Sequence, residues 1–145
     1  MRYAYPAEVL EEADGVTITF PDVPEAVTCG DNRAEALARA EDALVTALSF
    51  YTDANRPLPS PSPAHHGPLV TVPPLVAAKL ALHDALLAAG ISNVEFGRKL
   101  GLDEKAVRRL RDPLHRSHIG QVEAALRALG KRLEVTVLDA APTSF

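Results

Sequence analysis

Between residues 98 and 116 the chain carries seven basic side chains against three acidic ones: Arg98, Lys99, Lys105, Arg108, Arg109, Arg111 and Arg116. A cluster of this kind can neutralise phosphates, each contact releasing counterions and adding salt dependence. An arginine on a helix can also bond guanine bidentately, for about 1–3 kcal/mol of discrimination. A solvated charged face has the same composition, so the spacing of the other residues must separate the readings. Residues 93–110 read NVEFGRKLGLDEKAVRRL. Phe96, Leu100, Leu102, Val107 and Leu110 supply apolar contacts at the spacings two crossed helices need. Gly97 is small where the helices approach, Gly101 permits the joining turn, and Asp103 stands where an N-cap belongs. This is the pattern of a helix-turn-helix, with an αα-hairpin that binds no DNA as the alternative. Val107 and Leu110 face inward, which leaves Lys105, Arg108 and Arg109 outside as the favoured base or phosphate contacts. Arg98, Lys99, Arg116 and Ser117 are secondary phosphate candidates.

Other chemistry-bearing residues form no comparable pattern. His65 and His66 lie in a proline-rich stretch, where adjacent side chains point opposite ways and make a poor metal pair. His115 and His118 lie beside the basic cluster, where loop and cap roles suit them better than phosphate contact. Cys29, the single cysteine, excludes a disulfide framework and any multi-cysteine zinc site. With only Arg33 near it in sequence, it reads as a buried or half-buried small thiol rather than a nucleophile. There is no phosphate loop, nucleophile elbow or spaced aromatic platform. No catalytic residue, metal or cofactor is expected.

The elements that must carry the basic cluster follow from punctuation and periodicity. Prolines at 57, 59, 61, 63 and 68 exclude a helix or central strand from PLPSPSPAHHGP (57–68). Four units result: an α+β domain over 1–56, a Pro-rich linker over 57–74, a helix-turn-helix domain over 75–138, and a tail over 139–145. In the first, residues 2–10 suggest a strand that Pro6 demotes to an edge or bulge, and Asp14-Gly15 a hairpin turn. Val16, Ile18 and Phe20 alternate with threonines as a half-buried strand, and residues 26–30 suggest a third. Asn32 and Glu35 resemble a capping box ahead of a helix to about residue 53, with Leu37, Ala40, Leu44, Leu48 and Tyr51 on one face. Residues 69–72 are a candidate fourth strand for this sheet. In the later domain, residues 75–89 are helical up to Gly90, and Pro113 stops the second helix of the pair. Ser117 is placed to cap a last helix, and Leu133, Val135 and Val137 alternate as a short terminal strand. A lone strand needs a partner, most simply the same strand of a second copy. The fold class expected is therefore α+β: a small sheet-plus-helix domain, then an all-α domain with a terminal strand.

Charge divides along the same line. Residues 1–73 hold eleven acidic and four basic residues; residues 74–145 hold eleven basic and eight acidic. The first half suits a protein partner and the second a polyanion, although the whole chain of 145 residues carries −4. No run approaches 18 apolar residues, which argues against a membrane span. MRYAYPAEVLEE has no apolar core of a signal peptide, so a cytoplasmic protein is expected.

Two segments, GVTITFPDVPEAVTCGDNRAEALARAEDALVTAL (15–48) and the helix-turn-helix lobe (75–138), resemble the HicB antitoxin family. The most telling match is a strand ending in Phe-Pro-Asp-Val-Pro, then Thr-x-Gly-Asp, then an Ala-rich helix. The resemblance implies a partial ribonuclease-H-like N-terminal lobe that binds and blocks a small mRNA-cleaving HicA toxin. It also implies a C-terminal lobe that binds the operator of its own operon, and association as dimers or higher oligomers. Under that reading Asp22, Glu35, Glu41 and Asp42 are toxin-binding candidates, the acidic helix steering a basic RNA-binding protein. A solvated helix face and a structural role for Phe20 to Pro24 are the alternatives. Ribonuclease-H chemistry needs carboxylates converging on two metals, and the first strand offers none at its centre. A stand-alone helix-turn-helix regulator with a sensing N-terminal domain, and a metal-dependent nuclease, are the competing functions.

Overall fold

The computed structural model describes residues 2–63 and 66–140. The expected first strand is broken in two, β1 (Ala4–Pro6) and β2 (Glu8–Glu12). Pro6 has no N–H to continue a ladder, and the Ala7 N–H is taken by the Pro68 carbonyl at 2.9 Å. The chain therefore switches partners there. β1 pairs antiparallel with β5 (Leu69–Thr71), the fourth strand expected at 69–72, and β2 pairs antiparallel with β3 (Gly15–Thr19). β4 (Val27–Gly30) completes a three-stranded sheet in the order β2-β3-β4. Gly67 is required at the return crossing, because a Cβ there would collide with the Ala7 carbonyl oxygen. The β2–β3 turn falls on Ala13-Asp14, and Gly15 opens β3 at φ +152°, which side chains resist.

Helix α1 (Arg33–Asp53) lies across this sheet and buries Ala36, Ala40, Leu44, Leu48 and Tyr51, while Leu37 is half-buried. Half of the expected capping box forms. Asn32 Oδ1 accepts from the Glu35 N–H at 2.9 Å, but the Glu35 carboxylate turns to Arg39 at 2.8 Å. Tyr5, Ile18, Phe20, Val23, Leu44 and Leu48 make the centre of the first core.

Four more helices follow: α2 (Pro74–Ala89), α3 (Asn93–Leu100), α4 (Glu104–Arg111) and α5 (Ile119–Ala128). A second core joins Ala78, Leu82, Leu86, Phe96, Val107, Leu110, Val122 and Leu126. Helix α2 serves both cores: Leu80 is buried in the first, Leu82 and Leu86 in the second. The Tyr3 hydroxyl, just ahead of β1, also reaches Asp84 of α2 at 2.7 Å. The Pro-rich segment is tied to the first core as well. Leu58 packs on it, Pro59 accepts from the Tyr5 hydroxyl at 2.8 Å, and Ser62 is held by Asp22.

The terminal strand expected at 133–137 is not formed. Residues 131–140 carry no regular structure, and Val135 and Val137 are 76% and 91% exposed. Alternation gives a segment an apolar face but not a neighbour, and neither sheet of the described residues takes this segment into its ladder.

Candidate nucleic-acid interface

Helices α3 and α4 meet as the spacing predicts. Ser92 caps α3 by accepting from the Glu95 N–H at 3.1 Å, and Asp103 caps α4 by accepting from the Ala106 N–H at 2.8 Å. Gly101 takes the left-handed conformation at φ +72°, and the Leu102 N–H closes the turn on the Gly97 carbonyl at 2.8 Å. At Gly97 a Cβ would drive into the Leu102 carbonyl oxygen, so this residue sets how closely the turn packs on α3. Phe96, Val107 and Leu110 are buried between the helices. Leu102, expected among them, is 41% exposed instead. With Leu75, Leu100, Ala106 and Ala124 it lines an open groove of about 780 Å³ between α4 and α5, rimmed by Arg109 and Arg116.

The cations separate into two kinds. Lys105, Arg109, Arg98, Lys99 and Arg116 are exposed, with no carboxylate within ion-pair distance among the described residues. Arg108 is exposed but gripped by Glu104, one turn earlier, through Nη2 at 2.6 Å and Nε at 3.2 Å. That pairing lowers the Glu104 carboxyl and raises the Arg108 guanidinium. Arg111, counted with the others by sequence, is buried at 8% exposure and faces the interior. Its Nη1 donates to Asn93 Oδ1 at 2.7 Å, and its Nη2 to Asn55 Oδ1 at 2.5 Å and His83 Nδ1 at 2.7 Å. Burial lowers its guanidinium from the ordinary value.

Ser117 also points inward. Its hydroxyl oxygen accepts from the Lys79 ammonium at 2.8 Å, so it does not cap α5. That position belongs to His118, which makes no side-chain cap bond. Lys79 is fully buried and donates twice more, to the carbonyls of Arg109 at 2.8 Å and Asp112 at 3.1 Å. Its charge thus sits against the C-terminal end of α4, where helix carbonyls lack partners. Burial pushes its ammonium down to about 8, so it stays largely protonated at neutral pH.

The acidic candidates also separate. Asp22 Oδ2 accepts from the Ser62 N–H at 2.8 Å and Oδ1 from the Ser62 hydroxyl at 2.6 Å, which pins the Pro-rich segment where the chain leaves β3. Glu35 is paired with Arg39. Glu41 and Asp42 are exposed on the outer face of α1. Asp42 borders a shallow groove between α1 and edge strand β4, where Val27 and Phe50 are also exposed. Cys29, expected buried or half-buried, is exposed on that same strand, and its carbonyl accepts from Arg39 Nη1 at 3.0 Å. No three His, Cys, Asp or Glu side chains among the described residues converge as metal ligands. His66 is exposed and His65 lies outside the described residues.

Sequence reasoning missed Lys79, His83 and Asn55. The signal available was Lys79 and His83, four residues apart, in the run LVAAKLALHDALLAA, where Asp84 is the only other polar side chain. A charged residue on a largely apolar helix must either snorkel out or find buried partners.

Residues 3–81 match a family model described as the HicB-like antitoxin of bacterial toxin–antitoxin systems. The match ends inside α2, whose Leu80 is still part of the first core. The chain is 41% identical over 134 residues to "Antitoxin HicB 2" of Photorhabdus laumondii, covering 92% of this chain and 96% of the relative. It is 39% identical over 139 residues to "Antitoxin HicB" of Pseudomonas fluorescens, covering 94% and 95%. It is 37% identical over 139 residues to "Antitoxin HicB" of Escherichia coli K12, covering 95% and 100%. With both cores and the helix-turn-helix inside these alignments, the chain belongs to the HicB-like family of antitoxins.

Proposed function

We propose that the protein neutralises a small HicA-like, mRNA-cleaving toxin by direct binding and represses its own operon by binding operator DNA. The N-terminal lobe, residues 1–56 with the strand at 69–72, holds the toxin. The lobe at 75–138 presents α4 to the major groove, and 57–74 connects the two. The chain acts as a cytoplasmic homo-oligomer, without catalysis and without a cofactor. No single helix among the described residues is long and apolar enough to cross a membrane.

One observation carries the DNA reading: Lys105, Arg108 and Arg109 stand exposed on the outer face of a helix whose inner face, Val107 and Leu110, is buried. Arg98, Lys99 and Arg116 extend that positive surface as phosphate contacts, while Ser117 would have to leave Lys79 to join them. For the toxin, the exposed Glu41 and Asp42 and the neighbouring Val27 and Phe50 favour a basic partner with an apolar contact. Two carboxylates held within the chain, Asp22 and Glu35, would contribute less.

Two experiments test this. Co-expression with the product of the neighbouring gene should rescue growth; failure to rescue rejects the antitoxin mechanism. Arg108→Ala with Arg109→Ala should abolish the shift of promoter DNA and leave rescue intact. Operator binding by the double variant at an unchanged salt slope would reject α4 as the reading helix.

A further inference from the structure

The Arg111 guanidinium is an oddity in its setting. It is a buried cation with no carboxylate within ion-pair distance among the described residues, satisfied only by neutral acceptors. Burying an uncompensated charge is unfavourable, and a methionine or leucine would fill the same space without that cost. What the guanidinium adds is a planar fork with fixed directions. Each of its bonds ends on a different element. Asn93 belongs to α3, His83 to α2, and Asn55 to the residues just after α1. The His83 ring passes the connection on, since its Nε2–H donates to the Arg56 carbonyl at 2.7 Å. Asn55 is held for the purpose in the left-handed region at φ +52°, the one non-glycine with positive φ among the described residues. The Asn93 amide in turn donates to Glu104 at the start of α4, at 3.4 Å.

From this convergence we propose that Arg111 is a positioning residue that clamps α4 to the N-terminal lobe, so that the orientation of the helix is set by the end of α1. The proposal rests on the reading of α4 as the DNA-contacting helix only for its consequence at the operator. The clamp itself is a property of the free protein. It links the two lobes in energy: whatever disturbs residues 53–56 at the end of α1 is felt at the last turn of α4, and the reverse holds by reciprocity. Arg111 makes no phosphate contact in this scheme.

The test compares the full-length protein with Asn55→Gly, Arg111→Met and Arg108→Ala/Arg109→Ala. Asn55→Gly keeps the left-handed backbone and removes only the acceptor, on an exposed residue, so it folds even where Arg111→Met does not. Amide hydrogen exchange without DNA should speed up at least tenfold in the last turn of α4 for Asn55→Gly, although the substitution lies in the other lobe. Protection in α4 unchanged by Asn55→Gly overturns the proposal. Operator titrations at several salt concentrations give the second readout. Asn55→Gly and, where it folds, Arg111→Met should weaken binding severalfold with the salt slope of the wild type, because no phosphate contact is lost. A reduced slope for Arg111→Met makes it a phosphate contact and overturns the proposal. Should the wild type bind no operator, the DNA reading fails, and the exchange experiment still decides the clamp.

Discussion

Lys79→Met asks what closes the C-terminal end of the helix proposed to read DNA. Methionine keeps the length and volume of the lysine stem, so the packing of α2 against α4 is nearly preserved. What goes is the ammonium, and with it three hydrogen bonds, to the carbonyls of Arg109 and Asp112 and to the Ser117 hydroxyl. A hydrogen bond to a charged group contributes about 1.5–3 kcal/mol each, which sets an upper limit. Two effects reduce it. The variant no longer has to desolvate an ammonium, whose cost is visible in the drop to about 8. Asp112 and Ser117 are only half-buried, so their oxygens can turn partly to water. A net loss of about 2–4 kcal/mol remains. For a chain of this size that lowers Tm by about 4–16 °C. Calorimetry of the full-length variant at pH 7 measures it, and exchange at the amides of residues 109–112 localises it. A Tm within about 2 °C of the wild type would refute the idea that this cation holds the helix end.

Three further outcomes are expected. His83 is lowered from its usual value of 6.5, first by burial, and the facing Arg111 guanidinium adds to this; the Arg56 carbonyl and Asp84 oppose. Its folded value thus lies below its unfolded one, the unfolded chain binds the extra proton, and stability is complete above about pH 6.5 and falls on acidification. A His83→Asn variant should lack that acid loss in thermal melts between pH 7.5 and 5, and an equally steep loss would contradict it. Gly97→Ala gains about 1 kcal/mol of helix propensity but pushes a methyl into the Leu102 carbonyl, so a net loss of about 1–3 kcal/mol should appear in denaturant unfolding. An unchanged midpoint would mean the turn can back away from α3. Glu104→Gln should tighten operator binding a few-fold at low salt by freeing Arg108, which mobility shifts would detect as a lower half-saturation concentration. Weaker binding would mean that Glu104 is needed to aim Arg108.

How far the sequence reveals this molecule depends on whether the cause is local. The turn at Gly101, the caps at Asn32 and Asp103 and the stop at Pro113 come from backbone chemistry within a few residues, and the α-helices fall close to where periodicity puts them, while the cap expected at Ser117 is lost to the buried Lys79. The break of the first strand at Ala7 depends on a carbonyl 61 positions later, at Pro68, which no local pattern announces. Val135 and Val137 show the reverse case: a local alternating pattern that finds no ladder partner among the described residues of its own chain. The site shows the same division. Val107 and Leu110 give the inward face of α4, and so predict correctly that Lys105, Arg108 and Arg109 face out. Arg111 escapes that logic because it lies one residue past Leu110 on the edge of the buried face. Only the placement of Asn55, Asn93 and His83, from three other elements, makes burial of a guanidinium tolerable.

The distinction between counting cations and locating them changes a measurable quantity. Each phosphate neutralised on duplex DNA contributes about −0.9 to the slope of log affinity against log salt. All seven cations between residues 98 and 116 would give a protomer up to about −6. With Arg111 turned inward the exposed set is Arg98, Lys99, Lys105, Arg108, Arg109 and Arg116, and the ceiling falls to about −5. Arg108 reaches that ceiling only by leaving Glu104, and a cation that exchanges one anionic partner for another returns less net free energy than one that meets DNA unpaired. The steepest salt dependence should therefore come from Lys105 and Arg109, the two exposed α4 cations with no carboxylate to give up among the described residues. Single alanine substitutions at each of these three positions would rank them. A larger effect at Arg108 than at Arg109 would show that the Glu104 pairing orients the guanidinium for a base rather than restraining it.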